Sequence, residues 1–157
     1  MMGPSKTELY YAQAILLGMT ICGARFGTLL QVILEPSPDR GTSEFADEEA
    51  ILLLSPRWKL LSSNEFTANK NLPCDILSME QQLCLLYTCA NETIIDVDIV
   101  LERPVLILFL SNAMTMVIDG FDEQYESWTF GVMNGSKIVQ VFALPGGQIS
   151  CLDTYSQ

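Results

Sequence analysis

The sequence predicts a mainly β fold of the α+β class, in which an antiparallel β-meander sheet packs with one or two helices. Three observations predict it: apolar and polar residues alternate from residue 92 onwards, Asn134-Gly135 lies between two β-rich runs, and one segment carries a strong helix-capping signal. At 157 residues the chain is long enough to bury a full core, and it fits a single domain over residues 1–157.

The first half of the chain is predicted to begin with a helix and continue in strands. Residues 8–18 favour a short helix ending at Gly18, with a strand as the alternative. Four segments are aliphatic or alternate with period two, and these are the predicted strands: residues 19–24, 28–34, 50–54 and 57–61. Polar stretches near residues 35–49 and 62–75 are predicted loops.

The second half is predicted to hold one helix and then a run of hairpins. A helix is expected at residues 79–89, because Ser78 can act as N-cap and Gln81 stands at the third position of a capping box. Its apolar residues fall near one stripe, which we expect to face the core: Ile76, Leu77, Met79, Leu83, Leu86 and Tyr87. Residues 92–152 then predict a β-meander of about five strands. Two of its turns are Asn134-Gly135 and Pro145-Gly146-Gly147.

Charge and composition exclude several classes of function. The chain has 19 acidic and 8 basic residues, a net charge of -11, and no histidine. Such an acidic protein is not expected to dock on nucleic-acid phosphates or on an anionic membrane surface. Catalysis that depends on a histidine base is excluded. No apolar run reaches the roughly 18 residues of a membrane span, and no secretory signal is recognised.

The five cysteines indicate a reducing compartment. Their number is odd, their spacing is irregular and no CxxC pair exists, so we expect free, mostly buried thiols and a cytoplasmic location. No cofactor and no metal are expected.

Two acidic regions are the candidate binding sites. From residue 92 to residue 126 there are eight acidic residues and one base. Part of this charge lies in a predicted loop with aromatic residues that can act as apolar anchors, and part lies on one face of a predicted strand. The candidate partner-binding residues are Asp119, Asp122, Glu123, Tyr125, Glu126, Asp96 and Asp98. A solvated turn is the alternative for the loop, and its spacing does not match a calcium-binding EF-hand loop.

Patches of the sequence resemble a known group of proteins. Residues 106–118, the Tyr125-Glu126-Ser127-Trp128 segment and the Pro145-Gly146-Gly147 turn are similar to small, uncharacterised bacterial domains of the toxin-immunity type. The segment of residues 50–61, with its Ser-Pro step, is similar to theirs as well. This resemblance implies a protein that binds another protein and is not an enzyme.

The expected function is that of a small acidic protein-binding module. Its most specific form is an immunity protein that neutralises a basic, nuclease-type toxin by covering the toxin's cationic site. The alternative is a structural or assembly subunit, for example a homodimer formed through an exposed strand edge. A hydrolase that uses carboxylates and a divalent metal is a third, less favoured hypothesis.

Overall fold

The computed structural model describes residues 6–40, 49–68, 74–100, 104–120, 127–134 and 137–155. Within them the chain is mainly β, with two antiparallel sheets and three helices, and this confirms the predicted fold class. The helices are α1 (Lys6–Leu16), α2 (Ser63–Ala68) and α3 (Met79–Tyr87). None of them is long and apolar enough to cross a membrane.

The strands fall into two sheets. The six-stranded sheet has the order β1-β2-β3-β8-β9-β10, and the four-stranded sheet has the order β4-β7-β6-β5. The strands of the first are β1 (Met19–Arg25), β2 (Leu30–Pro36), β3 (Ala50–Leu54), β8 (Trp128–Asn134), β9 (Lys137–Leu144) and β10 (Gln148–Tyr155). Those of the second are β4 (Trp58–Ser62), β5 (Ile94–Val100), β6 (Val105–Leu110) and β7 (Met114–Ile118).

The predicted meander of residues 92–152 therefore differs from the structure in two respects. It contains six strands, and it crosses from the four-stranded to the six-stranded sheet after β7. The first crossing of the chain, between β3 and β4, runs beside this second one: the Ser55 N–H donates to the carbonyl of Ser127 (2.8 Å), and the Asp119 N–H donates to that of Arg57 (3.0 Å). These hydrogen bonds join residues more than 60 positions apart. The local alternation of apolar and polar residues therefore cannot predict them.

Local turn and cap signals are confirmed. Ser78 accepts a hydrogen bond from the Gln81 N–H and completes a capping box at the start of α3. Gly18 follows α1 at φ 81°, a left-handed position that favours glycine. β8 and β9 pair as the antiparallel hairpin that the sequence predicts there; Asn134 is paired with Lys137, and residues 135 and 136 lie outside the described residues. In the next turn Gly146 lies at φ 84°, as position i+2 of a type II turn requires.

The core lies between the two sheets and beneath α1 and α3, and both tryptophans are in it, as expected. Each indole N–H has a buried acceptor. Trp58 on β4 donates to Oε1 of Gln82 in α3 (3.0 Å), and Trp128 on β8 donates to the carbonyl of Pro104 (2.8 Å).

The predictions for α3 and its surroundings are partly wrong. The helix ends at Tyr87, and the Tyr87 side chain is 83% exposed rather than buried. Ile76, which precedes the helix, is also exposed. The face that packs inward contains Gln82 because the buried Trp58 indole needs an acceptor there. The predicted loop near residues 62–75 contains the short helix α2.

Candidate functional site

The predicted site residues separate into three places. Asp96 and Asp98 lie on β5, and Asp119 follows β7. Asp122, Glu123, Tyr125 and Glu126 lie outside the residues that the structure describes.

Asp119 is buried, with 1% of its surface exposed. Its carboxylate accepts from the Cys74 N–H (3.4 Å), while its own N–H donates to Arg57. Through its side chain and its backbone N–H, Asp119 thus ties the end of β7 to two other parts of the chain. The sequence predicts this carboxylate as part of an exposed cluster because three more acidic residues follow it within seven positions. The structure gives it an anchoring position at the start of that segment.

Asp96 and Asp98 are exposed on one face of the edge strand β5, and this confirms the predicted parity. Directly opposite them on β6 are Phe109 and Ile107. Residues that oppose each other across an antiparallel pair stand on the same face. The two carboxylates therefore border the small apolar cluster that occupies this side of the sheet: Val105, Ile107, Val117, Leu61, Phe66 and Phe109.

We call this surface the acidic sheet face and define it by Asp96, Asp98, Val100, Phe66 and Phe109. The two phenylalanine rings pack edge to face, with centroids 5.6 Å apart. Both are half-buried, while the aspartates and Val100 are exposed. An apolar centre with aromatic side chains and a charged rim is the usual composition of a protein-binding surface.

The two aspartates also protect the edge of the sheet. β5 is an edge strand, and edge strands expose backbone donors to which another chain can pair. Asp96 accepts from the Val97 N–H, and Asp98 accepts from the Ile99 N–H, each at 2.9 Å. These donors are two residues apart, so they point to the same side of the strand. Their occupation opposes pairing of β5 with a second copy.

A groove lies next to the N-terminal end of β5, between this strand, α1 and the segment after β2. Its volume is about 600 Å³, and exposed Tyr10, Leu17 and Ile95 line its walls. Arg40 lies in it and donates a hydrogen bond to the Ala14 carbonyl near the end of α1. Burial lowers the pKa of this guanidinium.

The cysteines are free, as expected, but they are not all buried. Cys74 and Cys89 are buried, Cys151 is half-buried, and Cys22 and Cys84 are exposed. Burial, followed by the charges of Glu8 and Asp153, raises the pKa of the Cys151 thiol to about 11. A thiol held in its neutral form is a poor nucleophile, and this arrangement does not favour thiol catalysis. In the part of the chain that the structure describes, no three His, Cys, Asp or Glu side chains come together in a way that could hold a metal ion.

No protein-family model, no curated protein and no solved structure matches this chain.

Proposed function

We propose that the chain is a small acidic protein-binding module of the cytoplasm, with a binding role and no enzymatic one. Its most specific form is an immunity protein that covers the cationic site of a basic, nuclease-type toxin. The observation that carries the proposal is the acidic sheet face, where two exposed carboxylates border an aromatic apolar cluster. The resemblance of the C-terminal segments to immunity-type domains supports the same function.

Charge determines how such a partner would approach. A net charge of -11 attracts a basic protein over distances longer than any single contact, and this attraction increases the association rate. Asp96 and Asp98 are exposed rim charges, and rim charges act mainly on the association rate. The half-buried rings of Phe66 and Phe109 and the exposed Val100 would then supply the apolar centre that slows dissociation.

The acidic segment of residues 121–126 belongs to the same proposal. Both of its flanks are buried: Gly120 precedes it, and Ser127 follows it with its N–H bonded to the Ala143 carbonyl (3.1 Å). Asp122, Glu123, Tyr125 and Glu126 remain the proposed contacts, and Asp119 is buried just before them.

A pull-down from lysate of the native host at low and at moderate ionic strength tests this function. The baits are the unmodified protein, the double variant Asp96→Asn/Asp98→Asn, and the control Asp75→Asn/Glu80→Gln. Asparagine keeps an oxygen that can accept the N–H bonds of β5, so the first variant removes charge without opening the edge. The control removes the same charge from two exposed residues of another region.

The proposal predicts one strongly basic partner, retained stoichiometrically by the unmodified protein and the control. At low ionic strength the Asp96/Asp98 variant should retain less of it, because slower association weakens the complex. If the captured partner is a nuclease, the purified protein should inhibit its nuclease activity. Equal retention by all three baits would refute the assignment of this face.

The alternative, a structural subunit that forms a homo-oligomer, is favoured by one observation. β10 is an edge strand of the six-stranded sheet and carries an exposed Leu152. This alternative predicts a fixed oligomer on sizing at every ionic strength and no captured partner. The binding function predicts a monomer that shifts to a heteromeric complex when the partner is added.

A further inference from the structure

A second apolar groove lies between α3 and β1. It measures about 290 Å³ and is lined by Ile21, Cys22, Gly23, Ala24, Leu83, Leu86, Tyr87 and Ala90. Binding sites for small molecules usually start at about 300 Å³. This groove therefore has room for one large apolar side chain rather than for a whole cofactor or metabolite.

An aromatic side chain stands unburied at the wall of this groove. Tyr87, at the end of α3, is 83% exposed although Leu86 beside it is buried. Phe26, one residue beyond β1, is 68% exposed. Large exposed aromatic residues next to an apolar depression are typical of surfaces that bind proteins.

The strand that forms the other wall has an available edge. β1 is the outer strand of its sheet, and its first half is covered, because Asn91 and Glu92 hydrogen-bond Ile21 and Thr93 pairs with Thr20. The strand bulges at Cys22 and continues to Arg25. Within the described residues, no backbone partner covers the outer side of residues 22–25. An extended segment can pair with such an edge and place alternate side chains in the groove.

The charge around the groove is negative. Burial raises the pKa of the Cys22 thiol, and the carboxylates of Glu35 and Glu49 raise it further. Glu35 lies on β2 opposite Thr20 of β1, so this exposed carboxylate stands beside the strand that forms the groove wall. A second copy of this chain would bring more negative charge to it, since acidic residues outnumber basic ones by 19 to 8. Charge complementarity selects a basic partner instead.

We propose that the α3–β1 groove binds an extended segment of a partner protein in which one large apolar residue is flanked by lysine or arginine. The segment pairs with the edge of β1 at residues 22–25, its apolar side chain fills the groove beside Tyr87, and its cations meet Glu35 and Glu49. This second surface goes beyond the proposed function, because it does not involve the acidic sheet face.

A synthetic peptide tests the proposal, acetyl-Lys-Val-Leu-Val-Lys-amide, titrated into the isotope-labelled protein and followed by amide NMR. Saturable shifts are expected at residues 22–25 and 83–90, with slower amide exchange at residues 22–25. A peptide with alanine in place of leucine should bind at least about fivefold more weakly, because the apolar anchor is lost. A peptide with glutamate in place of both lysines should not bind.

Matched variants identify the surface. Tyr87→Ala should weaken the peptide at least about fivefold, whereas Tyr10→Ala, an exposed tyrosine on α1, should leave the affinity unchanged. Glu35→Gln/Glu49→Gln should weaken binding and flatten its salt dependence. Asp96→Asn/Asp98→Asn should have no effect, which separates this test from that of the proposed function.

Thiol labelling gives an independent measurement. The bound peptide should slow alkylation of Cys22 severalfold and leave that of the exposed Cys84 unchanged. The proposal is overturned if the shifts do not saturate, if the three peptides bind alike, if Tyr10→Ala and Tyr87→Ala have equal effects, or if Cys22 reacts equally fast with and without peptide.

Discussion

Gly120 is the position where one added methyl group should damage the fold most. It is buried directly before the acidic segment of residues 121–126. A Cβ atom there would lie 1.7 Å from the carbonyl oxygen of Pro104 and 2.5 Å from the indole nitrogen of Trp128. Those two atoms form the buried hydrogen bond that joins β8 to the start of β6. In Gly120→Ala both must move apart or the backbone must shift.

The expected cost is about 2–6 kcal/mol. Overpacking a rigid site costs roughly 1–3 kcal/mol. Breaking a buried hydrogen bond and leaving its partners unsatisfied adds about 1–3 kcal/mol. A total near 4 kcal/mol is a large share of the roughly 5–15 kcal/mol that holds a domain folded.

Urea unfolding followed by tryptophan fluorescence measures this cost. With a denaturant slope of about 2 kcal/mol/M, the midpoint should fall by about 2 M. The control is Gly146→Ala, where φ is 84° and nothing lies within 4 Å of the added Cβ, so only backbone strain of about 1–2 kcal/mol is expected. In a Trp128→Phe background, Gly120→Ala should cost about 1–3 kcal/mol less, because the nitrogen it displaces is gone. Equal costs for the two glycine variants would refute the steric reasoning.

Three further outcomes are expected. Gln82→Leu should lower the free energy of unfolding by about 1–3 kcal/mol in urea titrations, because it leaves a buried indole N–H without an acceptor, and an unchanged midpoint would contradict this. Cys151 should be alkylated more slowly than the exposed Cys84 at pH 8.5, because Cys151 is half-buried and its raised pKa leaves little thiolate. Stability should also fall between pH about 9 and about 11, where Cys151 ionises in the unfolded chain first, and comparison with Cys151→Ser isolates that contribution. Asp122→Lys/Glu123→Lys should slow association with a basic partner and flatten its salt dependence, and an unchanged association rate would exclude this segment from the interface.

The features that sequence predicts well here are local ones. The capping box of Ser78 and Gln81 and the hairpin turn between β8 and β9 involve residues within a few positions of each other. The groups that form each of them are neighbours in the sequence, so the sequence alone predicts them. The division into two sheets depends instead on bonds such as that from Ser55 to Ser127, which join distant segments and leave no periodic pattern.

In the candidate site too, sequence predicts the features that depend on neighbouring residues and misses those that depend on distant ones. The period-two alternation predicts Asp96 and Asp98 on one strand face, and the structure confirms this. The burial of Asp119 depends on Cys74 and Arg57, which come from elsewhere in the chain. Tyr87 was assigned to the core stripe by helical spacing, which cannot show that the helix ends at that residue and leaves the ring in solvent.

Binding of a basic protein by the acidic sheet face is tested by stopped flow across a range of ionic strength. The association rate of the purified, captured partner is measured with the unmodified protein, Asp96→Asn/Asp98→Asn and Asp75→Asn/Glu80→Gln. The rate should be about three- to tenfold lower for the Asp96/Asp98 variant at low salt and should converge with the others at high salt, and the control should change much less. Indistinguishable rates for the two double variants would contradict binding by this face.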